Sequence, residues 1–121
     1  MERRRSTRYF TKHGSVVTQK CDLPVLNATT FFYMGNIVDI SITGFRLQGL
    51  RRFALNTLFT VRVLGDRKYG GLVETDFEVP VKCVWDEKHG EFWLSGFEFV
   101  DPSPDTIYAL HQVIDKLRND A

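Results

Sequence analysis

The chain predicts an all-β-dominated fold of about six antiparallel strands followed by one C-terminal helix. Three observations carry this expectation. Between residues 14 and 100 the sequence is a succession of short apolar or alternating runs, each the length of a strand. Turn-forming residues separate them, as at Leu64-Gly65-Asp66, Tyr69-Gly70-Gly71 and Lys88-His89-Gly90. Helical spacing of apolar side chains appears only near the C-terminus, after residue 103. Many short strands with turn residues between them form the pattern of a sandwich or a barrel.

In chain order, residues 1–12 read as a flexible basic arm, and residues 13–121 as one domain of strands plus a helix over about 103–118. Strands are expected over about 14–20, 29–41, 44–49, 57–64, 77–86 and 91–100. The segment from Asn27 to Met34 carries no alternation that sets its register. Over 36–42, alternation puts Val38, Ile40 and Ile42 on a core face, with Asp39 and Ser41 side by side on the outside. Phe59, Val61 and Val63 share one face of their strand. Val79, Val81, Cys83 and Trp85 do the same, with Lys82 outside. Gly96 interrupts the last strand where a curved sheet bends. In Asp101-Pro102-Ser103-Pro104-Asp105, Ser103 is a helix cap and Pro104 the first helical residue. Ile107, Leu110, Val113, Ile114 and Leu117 form the helix's apolar stripe, expected to dock on the strands, and Lys116 and Arg118 suit the end of the helix dipole.

Composition narrows the function classes. At 121 residues there is room for one hydrophobic core, and 43% hydrophobic with 26% charged residues excludes a disordered chain. No apolar run reaches the roughly 18 residues of a membrane span, and no apolar stretch follows the N-terminal arginines as in a secretory signal. Cys21 and Cys83 are too few for a disulfide framework or zinc site and read as free thiols in a cytoplasmic protein. His13, His89 and His111 have no ligand-like spacing, so no metal is expected. No nucleophile–base pair emerges, and Ser41 beside Asp39 without a placed histidine is no triad, so the chain reads as a non-enzyme. The net charge of +1 hides an asymmetry. The first twenty residues carry six basic side chains (Arg3, Arg4, Arg5, Arg8, Lys12 and Lys20) against Glu2, while the remainder carries ten against fourteen acids.

Two stretches carry the chemistry: Arg4-Arg5-Ser6-Thr7-Arg8, an R-x-x-x-R, and Asp39-Ile40-Ser41-Ile42-Thr43-Gly44, a D-x-S-x-x-G. Arginine grips phosphate oxygens or the O6 and N7 edge of guanine in bidentate fashion, and its flat face stacks on a base. A carboxylate suits the guanine edge that carries N–H donors. Gly44 ends its run where a chain needs positive φ or a close backbone approach.

The order and spacing of these two motifs resemble the signature of the PilZ domain, a bacterial receptor for the second messenger cyclic di-GMP. Val84-Trp85 and Gly96-Phe97-Glu98-Phe99 are similar to the last two barrel strands of that family, so the resemblance spans roughly residues 3–118. It implies a small six-stranded antiparallel β-barrel with a C-terminal helix, and cyclic di-GMP as ligand with no further cofactor. Arg4 and Arg8 would clamp phosphates and guanines, Asp39 and Ser41 would hydrogen-bond the nucleotide, and Gly44 would let the loop close. An extra arginine before R-x-x-x-R goes, in this family, with an intercalated pair of ligand molecules. Arg3 stands there, with Arg5 as further phosphate attraction, and the choice between one-to-one and two-to-one complexes turns on it. The implied mechanism is ordering of the arm, which reshapes a surface for a downstream protein partner; no role on nucleic acid or membrane is expected. The alternative is a protein–protein adaptor of motility, pilus or exopolysaccharide control with weak or no nucleotide binding. A nucleic-acid binder fits less well, since one short basic segment on an acidic body lacks the broad basic face such proteins carry.

Overall fold

A computed structural model describes residues 18–65 and 76–120. Six antiparallel strands form a closed barrel: β1 (Gln19–Asn27), β2 (Tyr33–Ile40), β3 (Gly44–Gly49), β4 (Leu58–Val63), β5 (Phe77–His89) and β6 (Phe92–Phe99). Their order around the barrel is β1-β2-β3-β6-β5-β4, and β1 closes it by pairing Val25 with Val63 and Asn27 with Val61 of β4. Helix α1 (Pro104–Asp120) follows.

The interior is built from the alternation expected of β4 and β5, with Val61, Val63, Val79, Val81 and Cys83 fully buried. Phe45 and Phe97 stack at 5.2 Å between centroids, and Phe53 and Phe59 meet Phe97 edge-on at 5.6 and 5.9 Å. Such pairs contribute about 0.5–1.5 kcal/mol each beyond the area they bury. Leu110, Val113 and Ile114 of α1 join this core, so the helix docks on its own barrel. Ser103 caps it as expected, its Oγ accepting from Thr106 N at 3.2 Å, and Thr106 Oγ1 donates to the Glu78 carbonyl of β5 at 3.0 Å.

Four expectations are corrected. β1 covers Gln19–Asn27 and so runs on well past residue 20, where the first strand was expected to end, and β2 starts at Tyr33, not 29. Residues 28–32 form instead the β1–β2 turn, where Asn27 Oδ1 accepts from Thr29 N and Thr30 N and Phe31 adopts φ 60°. Ile107 is 41% exposed, and Thr106 takes the buried place at the start of the helix stripe. Trp85 is buried as expected, at 7% exposure, but lies outside the core cluster that contains Cys83. A bulge between the two shifts the register, so Cys83 faces Phe97 while Trp85 faces Gly96.

Arg3, Arg4, Arg5 and Arg8 lie outside the described residues, as do 14–17 of the first expected strand and the turn at Tyr69-Gly70-Gly71.

Candidate functional site

The D-x-S-x-x-G motif is the β2–β3 hairpin. Ile40 pairs with Phe45 and Asp39 with Arg46, so the four residues Ser41-Ile42-Thr43-Gly44 connect the paired strands. Ser41 N donates to the Gly44 carbonyl at 2.9 Å. Ser41 Oγ accepts from Thr43 N at 3.2 Å and lies 3.1 Å from Thr43 Oγ1. This is the local hydroxyl–backbone bonding that favours serine in turns. Thr43 O in turn accepts from Phe99 N at 3.0 Å, which ties the turn to β6.

Gly44 is required by close approach rather than by positive φ. A Cβ at that position would lie 2.1 Å from the Phe97 carbonyl oxygen, so only glycine lets β3 lie this near β6. The next residue, Phe45, is buried in the core, whereas Ile42, expected on the core face, is exposed in the turn.

Asp39 and Ser41 do not stand exposed on the outside of the sheet. Asp39 is 5% exposed and Ser41 is fully buried. The physical reason is a bulge between Ile37 and Asp39: two β2 steps oppose one step of β3, so Ile37 and Ile40, three apart, both reach the core. Val38 is left half-buried. Arg46 grips the buried Asp39. Arg46 Nε donates to Oδ1 at 2.9 Å and Oδ2 at 2.8 Å, and Nη2 also bonds Oδ2. These bonds, stronger here than the cost of burial, raise the Arg46 pKa above its ordinary value.

Arg46 is the site residue that motif reading overlooked. Its signal was in the sequence: counting back equally from both ends of the turn sets Asp39 opposite residue 46, and opposite charges face each other across the hairpin. The row continues sideways. Lys20 of β1 pairs with Asp39, Arg46 pairs with Gly96 of β6, and Gly96 pairs with Trp85 of β5. A Cβ at Gly96 would fall 2.0 Å from Trp85 Nε1, so the indole lies directly over that glycine. A cation, a carboxylate, a guanidinium and an indole thus line up across five strands. The arrangement offers hydrogen-bond acceptors and donors beside a flat aromatic ring, the chemistry that binds nucleobases and phosphates.

Cys21 borders this row, its thiol donating to the Ile37 carbonyl at 3.6 Å. Burial, aided by the charges of Asp39 and Asp22, pushes the thiol up to about 12, so it is no nucleophile. Among the described residues no group of three or more His, Cys, Asp or Glu side chains could hold a metal ion, and no helix is long and apolar enough to cross a membrane.

The PilZ domain family model matches residues 2–116. Among solved structures, the PilZ domain of YcgR from Escherichia coli with c-di-GMP is similar at a TM-score of 0.68 and 11% identity, covering 88% of this chain and 92% of that one. YcgR from Escherichia coli in complex with c-di-GMP gives 0.66 and 14%, covering 88% of this chain and 46% of that one. The Bacillus subtilis inhibitor of motility, MotI/DgrA, gives 0.63 and 14%, covering 88% and 52%. The chain therefore spans about half the length of these two longer proteins. No curated protein sequence matches it.

Proposed function

The chain belongs to the PilZ domain family, and we propose that it is a non-enzymatic receptor for cyclic di-GMP. The observation that carries this reading is the β2–β3 hairpin, where D-x-S-x-x-G is folded into one rigid turn beside the Arg46 guanidinium and the Trp85 indole. Support comes also from the likeness in fold to YcgR, whose structures contain c-di-GMP.

In this reading Asp39 accepts from the N–H edge of a guanine. A carboxylate offers about four acceptor sites, so its pairing with Arg46 orients it without exhausting it. Ser41 acts through the turn, holding Thr43 and Gly44 where the ligand passes, and Gly44 keeps the hairpin tight against β6. Arg4 and Arg8 supply the clamp on phosphate and guanine, with Arg5 adding attraction. Arg3 stabilises a second, intercalated ligand molecule. On binding, the arginine segment folds across the hairpin, the ligand's phosphates offsetting the mutual repulsion of its guanidinium groups. The reshaped surface is then read by a protein partner.

Charge-assisted hydrogen bonds contribute about 1.5–3 kcal/mol each. Arg4→Ala, Arg8→Ala and Asp39→Ala are each expected to weaken cyclic di-GMP binding about ten- to hundredfold. Calorimetric titration of the variants measures this. Full affinity in Arg4→Ala would refute this placement of the site. Arg3→Ala is expected to lower the stoichiometry from two ligands per chain to one, and a wild-type ratio of one contradicts the role given to Arg3.

A further inference from the structure

The end of the barrel away from the Asp39–Gly44 hairpin has its own chemistry. It is built by the β1–β2 turn, the β3–β4 loop and the β5–β6 turn, because β2 and β3 each run from the hairpin to this end. Most of the exposed large apolar side chains among the described residues belong to these segments or the strand ends beside them: Phe31, Tyr33, Leu50, Leu55, Leu58 and Phe92. Phe31 is 67% exposed and Leu50 72% exposed. Folding does not force such exposure, since the interior is already filled by other aromatic rings.

Phe31 is also held in an unfavourable backbone conformation. A bulky residue at φ 60° is rare, and here Asn27 imposes it by tying the turn: Asn27 N donates to the Phe32 carbonyl at 2.8 Å and Phe31 N to the Asn27 carbonyl at 2.9 Å. A glycine would meet the backbone requirement more easily. The turn instead presents a ring to solvent.

Between these segments lies an open cavity of about 280 Å³, lined by Asn27, Phe32, Met34, Phe53, Phe59 and Arg51 among others. Arg51 stacks its guanidinium on the Phe32 ring at 3.8 Å and has no carboxylate partner among the described residues. Its neighbour Arg52 is already compensated, donating to Asp86 Oδ2 at 2.9 Å. The cavity therefore combines aromatic walls with, at its edge, one cation that has no carboxylate partner among the described residues.

We infer that this end of the barrel is a docking surface for a partner protein that inserts an apolar side chain beside Phe32 and Phe59 and sets a carboxylate on Arg51. The cavity has the size of a large side chain, the rim supplies the apolar surround that excludes water, and Arg51 selects an acidic neighbour. Two turns and a loop, not a flat sheet, form the surface, so the partner enters as a protruding segment. The inference stands independently of nucleotide binding: this surface lies at the far end from the hairpin and is separate from the one the bound ligand reshapes.

The test pans a random peptide library displayed on phage against the full chain and measures the selected peptides by fluorescence anisotropy. Selected peptides are expected to join an aromatic or leucine residue to an Asp or Glu. Arg51→Glu is expected to weaken them about tenfold or more, since a charge-assisted contact becomes a repulsive one. Phe31→Ser weakens them severalfold, while Tyr108→Ser, on the exposed face of α1, leaves them unchanged. Phe31, Arg51 and Tyr108 are all exposed, so circular dichroism of the three variants should match the parent. A library that yields no peptide dependent on Arg51 overturns the inference. Self-association of the chain, or its attachment to phosphatidylglycerol vesicles, that is abolished by Phe31→Ser also overturns it, in favour of a second copy or a membrane.

Discussion

Two glycines show how single atoms set this site. Gly44 leaves no room for a methyl group against the Phe97 carbonyl, and Gly96 leaves none beneath the Trp85 indole. Gly44→Ala and Gly96→Ala are each expected to destabilise the fold by about 1–3 kcal/mol, the usual range for overpacking. Urea denaturation measures both, and Gly96→Ala should also shift tryptophan emission. The thiols give a pH prediction. Burial pushes Cys21 and Cys83 from an ordinary 9.0 up to about 12, so folding favours the protonated form of both. Their contribution is complete below pH 9.0 and is lost as pH rises through about 12, so stability should fall across that interval. A Cys21→Ser, Cys83→Ser double variant should lose that part of the decline in a pH series of thermal melts. The motif residues themselves were legible in the sequence, but their orientation was not. Alternation predicts Asp39 and Ser41 exposed, whereas the bulge at Val38 depends on how β2 sits against β3, which no local pattern encodes.

Elements were legible where period and punctuation agree. β3 matches its expected range, and β4 and β6 fall within a residue or so of theirs, because each is a short apolar run between turn residues. The helix start was legible from Ser103 and Pro104, and the cap geometry follows. β1 was not: Asp22 and Pro24 interrupt its pattern, yet Pro24 pairs with Asn36 and its carbonyl accepts from Leu64 N at 2.9 Å. A proline that keeps only its acceptor side in use is tolerated in a strand, and that is a tertiary fact. At this scale α1 offers a graded test. Ser103→Ala should cost about 1 kcal/mol through the lost cap. Leu110→Ala should cost about 2–5 kcal/mol through the cavity it opens, and Ile107→Ser close to nothing, since that side chain is half in solvent. Denaturant midpoints that rank the three differently would contradict the docking of α1 on the barrel.

At the scale of the whole molecule, the barrel separates two kinds of chemistry. One end carries the hairpin of the family signature, with charge and an indole lined up across the strands. The other carries apolar side chains around Arg51, which has no carboxylate partner among the described residues. Of the first, the motif residues Asp39, Ser41 and Gly44 were singled out from the sequence but Arg46 and the Trp85 indole were not; the second was not foreseen at all, because it gathers residues from segments distant in sequence. The central claim is that the hairpin end receives cyclic di-GMP, and calorimetric titration of the purified chain tests it most directly, with GTP and cyclic GMP as controls. Saturable heat from cyclic di-GMP alone, lost in Asp39→Ala, is the predicted result. A folded chain that gives no heat with the cyclic dinucleotide, or equal heat with GTP, would contradict it.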